Sequence, residues 1–334
     1  MRHDQDAEGH GLADAEGVSP TTPFALKARR RRPRSAFNAP HTARTQPPSR
    51  RRAPPFPFSG LPMITAGLGL KSQHYDDAVA CEADGLWFEV HPENYMSAGG
   101  PRLTALAAIR ERHPVSLHGV GLSLAADADP DREHLAALRR LVDRFEPFVV
   151  SEHLAWSTHR GAHQPDLLPF PRTKAALARI AANIGRMQDA LGRRVLIENP
   201  SLYLPLTGHD LDEVEFLKAL VARSGCGLLV DVNNVFVSAG NLGYAPEAYL
   251  DAIPAEAVGE IHLAGHALDE GGSGLLIDTH GAPVAEPVWT LYRRLIARIG
   301  PRPTLIERDD HIPAFTVLMA ERDRAARELE PVHA

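Results

Sequence analysis

Eight short apolar runs, each followed by a longer segment, constrain this chain more than any other feature. They are ITAGLGL (64–70), GLWFEV (85–90), VSLHGV (115–120), FVVSEHL (148–154), RVLIEN (194–199), GLLVDV (227–232), VGEIHLAG (258–265) and PTLIERD (303–309). Apolar residues occupy consecutive positions, as in parallel strands covered on both faces, rather than the alternate positions of half-exposed strands. Between the runs, DREHLAALRRLVDRF (131–145), RTKAALARIAANIGRMQDAL (172–191), LDEVEFLKALVARS (211–224) and EPVWTLYRRLIARI (286–299) carry helical periodicity. Several open on Asp or Thr in capping positions and close on Gly192, Gly225 or Gly300. Eight βα units between positions 64 and 309 match the size of a (β/α)8 TIM barrel. An open doubly wound sheet would use fewer strands and a glycine-rich phosphate loop after the first, a spacing that GLGLKS (67–72) lacks.

Charge separates the chain into two parts. Residues 1–66 hold 11 Lys/Arg against 5 Asp/Glu, whereas the other 268 hold 25 against 37, a balance of −12. Residues 1–62, with RRRRPR at 29–34, are rich in Pro and Arg and poor in apolar periodicity, which predicts a disordered extension to which no function is assigned. The barrel is expected over 63–330. Its acidic surface disfavours nucleic acid unless bound cations reverse the local field. No apolar run approaches a membrane span, and the two cysteines, Cys81 and Cys226, suit a reduced, cytoplasmic setting rather than a disulfide scaffold. Cys226, just before the sixth run, is expected at the barrel floor, and Cys81 within a helix.

Ligand-type residues fall at the ends of the apolar runs. His118, Glu152 with His153, Glu198 with Asn199, Asp231, His262 and Glu307 each close a run. His74, Asn234, His266 and the Asp278-Thr279-His280 triplet lie in the loops that follow, the triplet with an alternation that would aim Asp278 and His280 to one side of an extended backbone. The C-terminal end of a TIM barrel gathers catalytic groups, so residues scattered in sequence become one ring in space. So many carboxylates and imidazoles repel one another unless cations neutralise them. Nine or ten candidate ligands imply two or three ions, with Glu198 placed to bridge a pair. Taken singly, a strand-end His or Glu is more often a structural hydrogen-bonding group; the joint pattern carries the argument. Glu89, His91, Glu93 and Asn94 read equally well as pocket wall or as loop fastening, Asn199 and His153 as orienting groups, and Trp156 and Trp289 as packing. His159 and His163 are expected in a mobile loop, and His10, His41 and His333 in tails.

HPENY (91–95), SLHGVGLSL (116–124), SEHLAW (151–156), IENPSLY (197–203), LVDVNNVFVSAGN (229–241), IHLAGH (261–266), LIDTHGAPV (276–284) and LIERDDHIP (305–313) together resemble the multinuclear non-haem iron-dependent oxidases, which include the methanobactin-biosynthesis oxygenase. The resemblance covers about 63–325. It implies a xylose-isomerase-like TIM barrel, two or three irons as Fe(II) and Fe(III), O2 as co-substrate, a ribosomally made precursor peptide modified at cysteine or another residue, and a partner protein that recruits the peptide. Carried over residue by residue, it implies His74, His118, Glu152, Glu198, Asp231, Asn234, His262, Asp278, His280 and Glu307 as metal ligands, with Asp231, Glu198 and His280 as catalytic members. The ligand order is also similar to trinuclear zinc endonuclease barrels, which carry histidine where Asn234 stands. That leaves a metal-dependent hydrolase or isomerase of phosphate esters or sugars as the alternative, and a non-catalytic metal-storing or peptide-binding module as a third reading. Imidazole and carboxylate without sulfur suit iron, manganese or zinc.

Overall fold

The computed structural model describes residues 65–159 and 162–330. The expected extension 1–62 lies outside the described residues, as does His333.

All eight apolar runs form strands: β1 Ala66–Gly69, β2 Phe88–Val90, β3 Val115–Gly119, β4 Val149–His153, β5 Leu196–Glu198, β6 Gly227–Asp231, β7 Val258–Leu263 and β8 Thr304–Ile306. Each pairs in parallel with its neighbours in sequence, and β8 returns to β1, closing the barrel. The helices are α1 Tyr75–Ala80, α2 Pro101–Arg112, α3 Arg132–Phe145, α4 Lys174–Leu191, α5 Glu213–Ser224, α6 Val232–Leu242, α7 Pro246–Ala252, α8 Glu286–Ile299 and α9 Phe315–Leu329. Their starts follow the expected chemistry. The Asp131 carboxylate accepts from His134 N at 2.8 Å, Thr173 Oγ1 from Ala176 N at 3.0 Å, and Asp212 forms a capping box with Glu215.

Alternation along each strand gives the wall two distinct faces. Phe88, Leu117, Val150, Ile197, Val230, Ile261 and Ile306 face outward and join the helices in the main core. Val149, Leu196 and Leu229 face inward as a separate small cluster. Two residues further along those same strands stand Ser151, Glu198 and Asp231, so apolar filling gives way to polar groups within one step of the pleat. Arginines close the opposite end: Arg193 donates to Pro147 O and Phe148 O, Arg302 to Val258 O, and the buried Arg322 to Ala66 O. Cys226 is fully buried at this end, as expected, whereas Cys81 follows α1 as its C-cap instead of lying within the helix.

Two antiparallel hairpins rise from loops on the other end. Trp156–His159 pairs with Ala162–Leu168, and Ala267–Leu268 with Leu276–Ile277. His159 and His163 therefore lie in strands and not in a loop. The sequence signal was silent because these strands are mostly polar and carry no apolar run. They are fastened from below, where Ser123 Oγ accepts from Ser157 N at 2.8 Å and Thr158 N at 3.1 Å.

Candidate metal centre

Inward-facing positions at the C-terminal strand ends bring together His118, His153, Glu198, Asp231, His262 and Glu307, all but His153 buried. Asn234 enters from the first turn of α6, and Asp278 and His280 from the loop after β7.

On one side, His118 Nε2 and His153 Nε2 lie 3.3 Å apart, each also 3.1–3.2 Å from Glu198 Oε2. Their other nitrogens are committed. His153 Nδ1 faces Gly119 O at 2.8 Å and must carry the proton. His118 Nδ1 lies 2.8 Å from Ser151 Oγ, whose own hydroxyl points to Leu117 O. With His118 in the tautomer that donates to Ser151, both Nε2 atoms are lone pairs and three acceptors converge on one point, an arrangement that a metal ion or a further proton satisfies. Glu198 Oε2 is buried with no directed hydrogen bond despite these short approaches. A proton would satisfy the trio only by charging His118: burial opposes that charge, yet Glu198 and Glu89 lift its pKa to about 10. Burial pushes His153 the other way. Glu198, penalised by burial but flanked by His153 and His118, is held at about 2.

Toward the centre, His262 Nδ1 lies 3.1 Å from Glu307 Oε2 and 3.8 Å from Glu198 Oε1. Asp231 uses Oδ1 as the N-cap of α6, accepting from Asn234 N at 2.6 Å, and leaves Oδ2 buried without a partner. Burial and the neighbouring Asp278 push the Asp231 carboxyl well above its usual range. Asn234 donates to Asn199 O at 3.0 Å, leaving Oδ1 unpartnered. On the far side, His280 Nε2 stands 2.8 Å from Asp278 Oδ1, and His280 Nδ1 lies 3.4 Å from Glu307 Oε2 and 3.2 Å from Asp309 Oδ2. The Asp278–His280 pair converges as expected but by a different route. His280 has φ +48°, a left-handed conformation that costs about 1–2 kcal/mol for a residue with a Cβ. A tight turn, not an extended alternation, folds the imidazole back.

Unpartnered buried oxygens on Glu198, Asp231 and Asn234, with an unpartnered imidazole nitrogen on His280, fit a set of cations better than a hydrogen-bonded network. Glu198 reaches toward His118 and His153 with one oxygen and toward His262 with the other, and so sits between two candidate ion positions. Glu307 likewise lies between His262 and His280. Groups such as Asp231, His262 and Glu307, or His118, Glu198 and His262, have donor atoms within 4.8 Å of one another.

Two expected ligands do not join this ring. Glu152 points out of the barrel, its Oε2 occupying the space that a side chain on Gly119 would need. Burial and Glu93 push its carboxyl well above the usual range. The period of two explains the exchange: in Ser151-Glu152-His153 the first and third residues share the inner face, so His153 enters the centre and Glu152 cannot. His74 ends a short 3-10 turn, where Nε2 is 3.0 Å from Pro313 O and the ring packs edge-on against Phe315, 5.7 Å between centroids. Asn199 behaves as an orienting group, its amide bonding both ways with the Asp231 backbone.

Three groups were missed or undervalued. Glu89 and Glu260 lie inside the barrel beside His262, and Asp309 beside His280. Glu89 and Glu260 sit mid-run, where only the pleat reveals an inward direction. Burial and Glu89 raise Glu260 to about 8.

A cavity of about 360 Å³ opens onto this centre between the hairpin at Leu167 and the loop holding Asp278, Thr279 and His280, a volume typical of ligand pockets. A second, of about 270 Å³, adjoins it at His91 and Glu307 and extends past Lys71 and Arg102.

Fold and centre together define a xylose-isomerase-like TIM barrel. Solved neighbours share the fold at low identity: D-psicose 3-epimerase from Clostridium cellulolyticum H10 at TM-score 0.51 and 10% identity, covering 80% of this chain and 96% of that one, and a xylose isomerase domain protein from Alicyclobacillus acidocaldarius at 0.50 and 18%, covering 80% and 98%. A family model described as "RiPP precursor modification enzyme MbnB/TglH/ChrH" matches residues 65–330, and the chain belongs to that family. Among similar relatives, a UPF0276 protein of Caulobacter vibrioides is 80% identical over 276 residues, 80% of this chain and 99% of the relative. One from Paraburkholderia phytofirmans is 53% identical over 260 residues, 76% and 84% of the two chains.

Proposed function

We propose that this protein is a multinuclear iron-dependent oxidase that uses O2 to modify a cysteine of a ribosomally synthesised precursor peptide. The observation that carries the metal half is the meeting of His118 Nε2, His153 Nε2 and Glu198 Oε2, buried ligand-type atoms 3.1–3.3 Å from one another. Family membership supports the peptide half. His118, His153 and Glu198 would hold one ion, Glu198, Asp231, His262 and Glu307 a second, and Asn234, Asp278, His280 and Glu307 a third. Bound there, iron supplies redox chemistry with O2 and Lewis acidity toward a thiolate.

The chain's own contribution is placement. Asp231 is locked as the α6 N-cap, so its free oxygen has one direction. The chain His266–Asn233–Asp278, linked at 2.8 and 2.7 Å, holds the Asp278 loop over the cavity. Such preorganisation keeps reacting groups at short range. The exposed Leu204, in the loop after β5, and Leu268, in the second hairpin, suit contact with a recruiting protein or the peptide itself. No helix among the described residues is long and apolar enough to cross a membrane. The two free cysteines, Cys81 and Cys226, suit a reduced, cytoplasmic setting.

The test is metal analysis of the purified protein, O2 uptake, and mass spectrometry of a cysteine-containing peptide encoded beside it. Two or more irons per chain with O2-dependent mass change support the reading. Zinc with phosphate-ester hydrolysis and no peptide modification would replace it with the hydrolase reading.

A further inference from the structure

His262 is fully buried, and carboxylates face both of its nitrogens. Nδ1 looks to the mouth, toward Glu307 and Glu198. Nε2 looks into the barrel, 3.1 Å from Glu89 Oε1, an ion-pair approach off the line of a directed hydrogen bond, and 3.8 Å from Glu260 Oε1. An imidazole nitrogen that meets only acceptors must carry a proton or a metal, and a neutral ring has one proton for two nitrogens. The two sides differ in kind. On the mouth side the acceptors belong to the ring of unpartnered donors that opens onto the cavity. On the inner side Glu89 is already anchored, since Ser116 Oγ donates to its Oε2 at 2.7 Å.

We propose that Glu89, held by Ser116 and backed by Glu260, is a positioning residue that keeps the His262 proton on Nε2 and so presents Nδ1 as the metal-binding atom. This rests on the metal-dependent reading above. A carboxylate behind a ligating imidazole fixes its tautomer and ring angle and raises its basicity, and loss of such a partner costs about 10–100-fold in metal affinity. Glu260, too distant from Nε2 for a hydrogen bond, fills the other side of the proton without replacing Glu89. Glu260 lines neither cavity and Glu89 lines only the second; in this contact both act through His262.

The decisive measurement is the nitrogen-15 spectrum of histidine-labelled, Zn(II)-loaded full-length protein, with His262 assigned by its Asn variant. A metal-bound Nδ1 and protonated Nε2 are expected. Metal on Nε2 overturns the proposal. In parallel, iron binding is measured against a competing chelator: Glu89→Gln should weaken retention by about 10–100-fold, and Ser116→Ala less in the same direction, with the melting point of the metal-free protein little changed. Unchanged retention in Glu89→Gln overturns the proposal, as does a lowered metal-free melting point that accounts for the loss. Disappearance of one whole ion in Glu260→Gln would mean that the inner carboxylates hold a cation themselves, which also overturns it. Should Glu89→Gln fail to fold, Ser116→Ala and the spectrum decide. A wild-type protein that binds no metal would sink both this proposal and the metal-dependent reading, whereas metal-loaded wild type with a wrong tautomer sinks this one alone.

Discussion

The same strands behave in opposite ways at two heights of the barrel interior. Low in the barrel, Val149, Leu196 and Leu229 pack against each other with no polar atom among their side chains. One pleat higher on β5 and β6, and two on β4, stand Glu198, Asp231 and His153, with their free atoms aimed at one another. The lower layer needs nothing beyond itself, because burying apolar surface stabilises it directly. The upper layer is costly as it stands, because unpartnered buried polar atoms are paid for by the rest of the fold unless a ligand satisfies them. A protein that keeps such a layer keeps it for binding.

Substitutions should separate the two layers, the greatest effect coming from the upper one. Asp231→Ala removes a donor whose position is fixed by the helix cap. Activity should fall to background and metal content by at least one ion, with the barrel's circular dichroism unchanged; full activity at reduced metal content would break the assignment. His153→Ala and Glu152→Gln sharpen the boundary between inner and outer faces of one strand. The first should weaken metal retention by about 100-fold or more, beyond the usual cost of losing an outer-sphere partner, and the second should change it within a few-fold, both read by chelator competition. Equal effects would mean that the pleat does not decide membership. In the lower layer, Leu229→Ala should cost about 2–5 kcal/mol in denaturant unfolding while metal stoichiometry stays at the wild-type value.

The smallest effect concerns Glu93, which lies outside both layers and ties down the loop after β3. Its carboxylate accepts from Val120 N at 3.0 Å and Gly121 N at 2.9 Å. Burial opposes its charge, but His134 and these amides hold it at about 2. Because the folded pKa lies below the unfolded one, the contribution is present above about 4.5 and fades as pH falls toward 2. The stability gap between wild type and Glu93→Gln should therefore narrow by about 2 kcal/mol from pH 7 to pH 3 in paired urea titrations. A constant gap would remove the charge from the account.

Sequence alone determined the barrel. Eight apolar runs with capped helices between them leave one closed parallel arrangement, and ligand types stand out where those runs end, at His118, Glu198, Asp231, His262 and Glu307, and in the loops just beyond, at Asn234, Asp278 and His280. The tertiary structure decided what a strand-end position cannot say, namely which way each side chain faces. Neighbours one residue apart point to opposite sides of a strand, so Ser151-Glu152-His153 yields His153 rather than Glu152, and FEV and GEIH hide Glu89 and Glu260 inside apolar text. His74 shows the same limit in a loop: its nitrogen is claimed by the carbonyl of Pro313, 239 positions later in the chain, a contact that no local pattern records. Local periodicity is written by the chain's own geometry; the direction of a lone pair is set by whatever distant group folds against it.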